Sequence, residues 1–153
     1  GKVCTDSELV ESLNGLRNYK KIVFTNGCFD ILHIGHVRYL QEARAQGDVL
    51  VVGINSDNSV KKLKGPSRPI QNEQDRAEIL SALSCVNFVC VFDQETPIDL
   101  IHQVKPDVLV KGGDWPIEKI VGSSFVMSYG GVVKSLQFIE GKSTTSIIEK
   151  SQK

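Results

Sequence analysis

Short apolar runs alternate with polar stretches along most of the chain. Five of these runs are rich in Val, Ile, Leu or Phe, show little polar alternation and are bounded by Gly, Asn, Asp or Pro, which is typical of strands buried on both faces. They cover 21–25, 48–54, 86–92, 106–110 and 131–136. The segments between them have helical character, so the pattern predicts alternating strands and helices.

The predicted helices have recognisable starts and ends. Thr5 and Glu8 have the spacing of a capping box, and they precede leucines at helical spacing. The helix that follows the first strand should end at Gly47 as its C-cap, with Val37, Leu40, Ala43 and Ala45 on its inner side. Further helices are predicted in part of 55–70, over 73–83, from a Thr96 cap with Pro97 at position N1, around 117–129, and from Ser143 onward.

This order of elements predicts an α/β fold, a doubly wound five-stranded parallel sheet with helices on both faces. We expect one domain over 1–153, made of an N-terminal helical segment (1–20) and a core (21–153). Ligands of such sheets bind beyond the carboxyl ends of the strands. The segments TNGCFD, NSD and KGGD follow the first, second and fourth predicted strands, so a site is expected there.

Composition excludes several classes of function. The 153 residues carry 18 basic and 18 acidic side chains, so no net charge attracts the chain to nucleic acid or to an anionic membrane. No apolar run approaches the roughly 18 residues of a membrane span, and the start lacks the order of a signal peptide. We therefore expect a cytoplasmic protein with no membrane or nucleic-acid partner.

The four cysteines are interpreted as reduced thiols, because no CxxC pair or zinc-finger spacing occurs. Cys85 and Cys90 flank an apolar run and are expected in the core. Cys28 is adjacent to the histidine motif, where it is either a nucleophile or a small side chain in a tight loop. Two common nucleotide motifs are absent: GxGxxG does not follow the first strand, and Leu136 stands where a P-loop ending in Gly141-Lys142-Ser143 would need glycine.

The segment TNGCFDILHIGH places His33 and His36 at the start of a predicted helix. Free backbone N–H groups and the positive end of the helix dipole favour an anion there, and Gly35 allows close approach to the backbone. Two imidazole donors suit a phosphate that gains charge in a transition state. Two alternatives remain open at this point: histidines with ordinary polar contacts, and a metal site formed with Asp30.

Four motifs carry a resemblance to a known family. HIGH within TNGCFDILHIGHVRYLQEA, together with LKGPSRPI, VKGGDW and GKSTTSII, resembles the HxGH nucleotidyltransferase superfamily, and within it the adenylyltransferases of ADP-heptose synthesis. The resemblance implies a Rossmann-like nucleotidyltransferase fold. It also implies transfer of AMP from ATP to D-glycero-β-D-manno-heptose 1-phosphate, with release of pyrophosphate, by in-line attack on the α-phosphate.

The resemblance also implies roles for individual residues. Catalytic roles fall on His33, His36 and Lys64. Nucleotide binding falls on Asn26, Gly27, Cys28, Phe29, Gly35, Lys111, Gly113, Asp114, Ser143, Thr144 and Thr145. Substrate binding falls on Asp30, Asn55, Asp57, Arg68, Arg76 and Trp115. Mg²⁺ is expected to be carried by the nucleotide phosphates with no dedicated protein site, and a homodimer or higher homo-oligomer is expected.

Simpler roles compete with several of these assignments. Lys64 belongs to a run of charges that is otherwise a solvated surface, Arg76 fits a helix-surface charge, and Trp115 fits a side chain that closes the core. Ser143 fits a helix cap.

The motif pattern also has departures. Lys142 replaces the isoleucine found in many superfamily members, and no arginine precedes the motif as in glycerol-3-phosphate cytidylyltransferases, which remain the alternative within enzymes. A non-catalytic flavodoxin-like binding module is the alternative outside enzymes.

Overall fold

A computed structural model describes residues 1–137, in which six parallel strands form one sheet. The strands are β1 (Lys2–Val3), β2 (Ile22–Gly27), β3 (Val49–Asn55), β4 (Phe88–Phe92), β5 (Val108–Gly112) and β6 (Val132–Leu136). The helices are α1 (Asp6–Asn14), α2 (Ile34–Arg44), α3 (Asp57–Lys64), α4 (Glu73–Ser81), α5 (Ile98–Val104) and α6 (Ser123–Ser128), with a 3₁₀ turn at Ile117–Lys119.

The strand order β1-β4-β3-β2-β5-β6 fixes where the chain reverses direction across the sheet. From β2 the chain moves outward to β3 and β4, and then returns to β5 on the other side of β2. The reversal therefore lies between β2 and β5, where their carboxyl ends diverge and leave a crevice. All five predicted strands are confirmed.

The sheet has one strand more than predicted. β1 is only two residues long and pairs with β4 through Lys2 and Phe88 and through Val3 and Val89. A two-residue strand carries no readable periodicity, which is why the sequence pattern did not reveal it.

The core consists of two layers, one on each face of the sheet. One layer joins α1, α5 and α6 to alternate strand residues such as Phe24 and Val51. The other joins α2 and α4 to the intervening residues such as Val23 and Leu50. Because both faces are covered, every residue of β3 is buried, as its unbroken apolar run predicts.

The ends of the early helices agree with prediction at α1 and differ at α2. The capping box of α1 is present: Glu8 N–H donates to Thr5 Oγ1 at 3.2 Å and Thr5 N–H to Glu8 Oε1 at 3.0 Å. The prediction of Gly47 as the C-cap of α2 is wrong, because the helix ends at Arg44 and Ala45 is its C-cap. Ala45 is exposed, so its predicted position on the inner side of the helix is also wrong. Glycine is needed at 47 for another reason: a Cβ there would lie 2.6 Å from Val23 Cγ2.

Two later helices also differ in detail. Pro97 occupies the N-cap position of α5 rather than N1, and Ile98 N–H makes a 3.5 Å contact with Thr96 Oγ1. The helix predicted around 117–129 is split into the 3₁₀ turn and α6. The helix predicted from Ser143 lies outside the described residues. Within 1–137, no helix has the length and apolar character needed to cross a membrane.

Candidate active site

A polar cavity of about 170 Å³ opens at the crevice between β2 and β5. Its walls come from the loop after β2, the first turns of α2, the end of α3 and the end of β5. The lining residues are Asn26, Gly27, Cys28, Phe29, Asp30, His36, Tyr39, Lys64, Lys111 and Gly112. Eight of these were predicted from the sequence, and the fold brings them together from four separate elements.

Tyr39 lines the cavity without having been predicted, and Gly112 was predicted only as part of the KGGD segment and not as a binding residue. Tyr39 is buried, and its hydroxyl lies 2.6 Å from Thr25 Oγ1 beneath the cavity. One helical turn beyond His36, it has the spacing of an ordinary core residue. Only this i, i+3 relation to the histidine could have identified Tyr39 from the sequence.

The loop after β2 is shaped by a close contact between Gly27 and Phe29. Phe29 has a positive φ of 48°, which turns its ring back over the strand end. A Cβ on Gly27 would lie 2.9 Å from that ring, so residue 27 must lack a side chain. The same ring meets His36 edge to face, with centroids 5.4 Å apart. This packing holds one wall of the cavity.

His33 and His36 are held by the backbone at the start of α2. His33 is the N-cap, and its Nδ1 accepts a hydrogen bond from Gly35 N–H at 3.0 Å. In return, His36 Nδ1 accepts a hydrogen bond from His33 N–H at 3.3 Å. The two ring centroids lie 3.9 Å apart. Because each Nδ1 is an acceptor, each neutral ring carries its proton on Nε2.

The environment keeps His36 neutral. Burial lowers its pKa from 6.5 to about 4, and the repulsion that a protonated His36 would meet from a protonated His33 and from Lys64 acts in the same direction. At neutral pH the ring is therefore an uncharged donor through Nε2–H. Such a group stabilises negative charge without having to lose a proton.

Two lysines give the cavity its positive charge. Lys64 is exposed in the last turn of α3, and Lys111 lies half-buried on β5. Burial lowers the pKa of Lys111, and its Nζ lies 5.6 Å from the centre of the Trp115 ring. Two cations and the imidazole N–H donor of His36 on one small cavity suit a polyphosphate.

Asp30 lines the cavity, but its carboxylate oxygens are used within the chain. They accept hydrogen bonds from Arg68 Nε at 2.8 Å and from the N–H groups of Ile70 and Gln71 at 2.9 Å each. Burial would raise the pKa of Asp30, but these hydrogen bonds outweigh it and hold the pKa below its usual value.

The alternative of a metal site formed by Asp30, His33 and His36 is not supported, because the Asp30 oxygens and both Nδ1 atoms accept hydrogen bonds from the chain. No group of three or more His, Cys, Asp or Glu side chains suited to a metal ion occurs in the described part of the chain, 1–137.

Four residues predicted to bind substrate lie beside the cavity rather than on its surface. Asn55 is buried and donates to Ser59 Oγ at 3.0 Å, and Arg68 is paired with Asp30. Arg76 is fully buried and paired with Asp57 at 2.8 Å. The alternative of Arg76 as a helix-surface charge is therefore wrong. Substrate contact by these four residues stays a prediction.

Trp115 is 49% exposed, so the alternative in which it closes the core is wrong. It borders a second cavity of about 120 Å³, which shares Asn26 and Lys111 with the first. Trp115 Nε1 donates to the carbonyl of Gly112 at 3.1 Å, which fixes the ring at the cavity rim. Gly113 and exposed Asp114 belong to the same loop, while Ser143, Thr144 and Thr145 lie outside the described residues.

Comparison with known proteins identifies the family. The model of the cytidylyltransferase-like family matches residues 24–150, so the chain belongs to that family. It is 58% identical over 134 residues to bifunctional protein HldE of Syntrophotalea carbinolica, covering 88% of this chain and 27% of the relative. It is 54% identical over 150 residues to HldE of Koribacter versatilis, covering 97% of this chain and 31% of the relative. The chain thus spans less than a third of these relatives.

Solved structures agree with this assignment. A lipopolysaccharide core biosynthesis protein from Thermoplasma volcanium superposes with a TM-score of 0.64 at 31% identity, covering 78% of this chain and 97% of that one. A pantoate-β-alanine ligase from Francisella tularensis shares the fold alone, with a TM-score of 0.57 at 16% identity over 88% of this chain and 66% of the ligase. The predicted family is confirmed, and the domain is a nucleotidyltransferase.

Proposed function

We propose that this chain transfers AMP from ATP to D-glycero-β-D-manno-heptose 1-phosphate, giving ADP-heptose and pyrophosphate. The observation that carries the proposal is the cavity at the β2–β5 crevice, where the neutral His36 imidazole and two lysines converge, with the His33 ring packed against His36 at 3.9 Å between ring centroids. The sugar specificity is supported by the four motifs together and by the likeness to a lipopolysaccharide core biosynthesis protein.

The proposed reaction is an in-line displacement at phosphorus. A phosphate oxygen of the sugar phosphate forms the new bond to the α-phosphorus, and the bond from that phosphorus to the bridging oxygen of pyrophosphate breaks. Such a transfer depends on positioning and charge stabilisation, and it needs no protein nucleophile. Cys28 is then a lining residue of the cavity and not a nucleophile.

Each basic or donor group has a task in this scheme. His33 and His36 donate Nε2–H hydrogen bonds to the nucleotide phosphates as charge develops on them. Lys64 closes over the triphosphate from α3, and Lys111 offsets charge from β5. These contacts favour the transition state because its phosphate oxygens carry more charge than those of the bound nucleotide.

Mg²⁺ is proposed to arrive with the nucleotide. It prefers oxygen ligands and keeps several waters, so phosphate oxygens supply most of its coordination, and a dedicated protein cluster is unnecessary. When bound, it neutralises part of the triphosphate charge. In the same proposal the nucleoside lies toward Gly113, Asp114 and Trp115, a location supported by the second cavity beside Lys111. Assembly as a homodimer or larger oligomer is also proposed.

A second candidate is a cytidylyltransferase that uses CTP and glycerol 3-phosphate. The match to the cytidylyltransferase-like family supports this candidate. The fold, the histidine pair and the lysines would serve either reaction, because in each reaction the acceptor attacks the α-phosphate of a nucleoside triphosphate. The two candidates differ only in the base and in the acceptor.

The test is pyrophosphate release with Mg²⁺ and each of ATP, CTP, GTP and UTP, crossed with heptose 1-phosphate and glycerol 3-phosphate. We expect release only with ATP and the heptose, with ADP-heptose identified by mass spectrometry. Release with CTP and glycerol 3-phosphate would replace the first candidate by the second. If no pair reacts, both acceptor assignments are wrong.

A further inference from the structure

Arg76 is the largest of the fully buried side chains in residues 1–137, and it lies in α4 beside the cavity. Its Nε donates to the carbonyl of Gln71 at 3.0 Å. Its Nη1 donates to the carbonyls of Cys28 at 2.9 Å and Asn55 at 2.7 Å. Its Nη2 donates to Asp57 Oδ1 at 2.8 Å. All three guanidinium nitrogens are therefore engaged with the chain itself.

These four acceptors belong to different parts of the fold. Cys28 follows β2, Asn55 ends β3, Asp57 begins α3, and Gln71 belongs to the loop before α4. The Arg76 side chain is 0% exposed, so a bound nucleotide cannot reach its guanidinium without unmaking these bonds. Its planar fork suits this task, because it holds several acceptors in fixed relative positions.

Lys64 lies between two of the residues that Arg76 contacts, Asp57 and Gln71. We use "Lys64 segment" for residues 57–71, which comprise α3 and the loop after it. Its start is held by the Arg76 pair with Asp57 and by the hydrogen bond from Asp57 N–H to Glu73 Oε1 at 3.0 Å. Its end is held by Arg76 at Gln71 and by the Asp30 carboxylate.

Between these anchors, Lys64 itself is exposed, and Gly65 has no heavy atom near the position of a Cβ. The position of the Lys64 side chain over the cavity thus depends on how the two ends of the segment are fixed, and Arg76 is the residue that contacts both ends.

We propose that Arg76 is a positioning residue of the nucleotidyl transfer: it fixes both ends of the Lys64 segment and thereby places Lys64 Nζ over the cavity, without touching substrate. This inference rests on the proposed function for its kinetic consequence. It replaces the predicted substrate contact of Arg76 by an indirect role.

The test compares Arg76→Lys with Lys64→Ala. Lysine keeps the charge but cannot hold four acceptors in one plane, so kcat should fall by about 10- to 100-fold, the cost of a misplaced catalytic group. If Arg76 acts through Lys64, the same substitution in a Lys64→Ala background should change kcat less than about 2-fold, because coupled residues are not additive. Losses that multiply in the double variant would overturn the proposal.

Arg17→Lys is the matched control. Arg17 also donates to backbone carbonyls, those of Val104 and Lys105 at the end of α5, but it does not line either cavity of the site. This variant should leave kcat and KM unchanged. Glu73→Gln serves as a second variant should Arg76→Lys fail to fold, because it weakens the hydrogen bond to Asp57 N–H and leaves Arg76 in place. Its smaller loss of kcat should also vanish in the Lys64→Ala background.

A substrate-free measurement separates this inference from the proposed function. Trypsin cleavage after Lys64, followed by mass spectrometry, should be about 10-fold faster in Arg76→Lys than in Arg17→Lys, because local opening governs proteolysis. Equal rates would overturn the anchoring role. Faster cleavage in a protein that transfers no nucleotide would refute the proposed function and leave the anchoring of the segment supported.

Discussion

The cavity at the β2–β5 crevice and a cavity at the β1–β4 edge of the sheet differ in size, position and charge. The larger, about 490 Å³, lies at the β1–β4 edge, and the smaller, about 170 Å³, lies at the β2–β5 crevice. The larger cavity is bordered by the carboxylate residues Asp6, Glu8, Asp93 and Asp99, and none of the described residues that line it is basic. The smaller has Lys64, Lys111 and His36.

The difference indicates that charge and topology, rather than volume, distinguish the proposed nucleotide site from the other cavity. Four carboxylates around one cavity oppose the entry of a triphosphate, whereas lysines and imidazole donors favour it. The smaller cavity also lies where the strand order reverses, which is where α/β sheets bind ligands.

The largest expected effect is the loss of a donor from the smaller cavity. His36→Ala should lower kcat by on the order of 10²-fold or more, because a donor to the transition state is removed. Steady-state pyrophosphate release would measure it. His102→Ala is the control, since His102 stacks on Phe125 at 4.1 Å and lines neither cavity of the site. An unchanged kcat in His36→Ala would remove the histidine from the chemistry.

A smaller loss is expected when the cavity loses a cation. Lys64→Ala should reduce kcat/KM for the nucleotide by about 10- to 100-fold, because a charged partner of the phosphates disappears. Lys62→Ala, in the same helix but outside the cavity lining, should leave kcat/KM within about 2-fold. Equal effects of the two substitutions would mean that the whole basic surface acts, and not Lys64 in particular.

The neutral state of His36 predicts a pH-dependent stability. The pKa is about 6.5 when the chain is unfolded and about 4 when it is folded, so the unfolded state binds the proton more readily. Relative to His36→Asn, the wild type should therefore lose stability as pH falls from 6.5 towards 4, by on the order of 1–2 kcal/mol after allowance for solvent screening. Urea unfolding of both proteins across this range measures the difference, and parallel curves would contradict it.

The smallest effect is expected at the larger cavity. Asp99→Asn removes a carboxylate from its wall and should leave kcat and KM within about 2-fold of the wild type. A tenfold change in nucleotide affinity would show that the acidic cavity communicates with the site and that the contrast between the two cavities is incomplete.

The sequence predicts the fold better than it predicts the contacts. Unbroken apolar runs predicted the five strands β2 to β6, because a strand buried on both faces is apolar along its whole length. The spacing of Thr5 and Glu8 identified the start of α1, because a capping box depends only on residues close together in the sequence. The end of α2 was misplaced, because Gly47 is required by Val23 on a strand distant along the chain.

Site residues were predicted well where several of them lie in one segment of the sequence. They were predicted less well where their contacts come from distant segments. The loop after β2 could be recognised from its own residues. The burial of Arg76 depends on carbonyls up to 48 positions away, and the pairing of Arg68 with Asp30 spans 38. Local patterns contain no information about such partners, so the sequence offered substrate contact or a helix-surface charge for Arg76, and not a buried side chain that binds four acceptors of the chain.

The mutual capping of His33 and His36 has a thermodynamic consequence. The three-residue spacing of the pair is the spacing of a capping box, so the start of the helix itself requires it. Each ring gives up its rotational freedom when the chain folds, before any phosphate is present. In the proposed reaction, a nucleotide therefore meets donors that are already in place, and its binding free energy is not reduced by the entropy of ordering them.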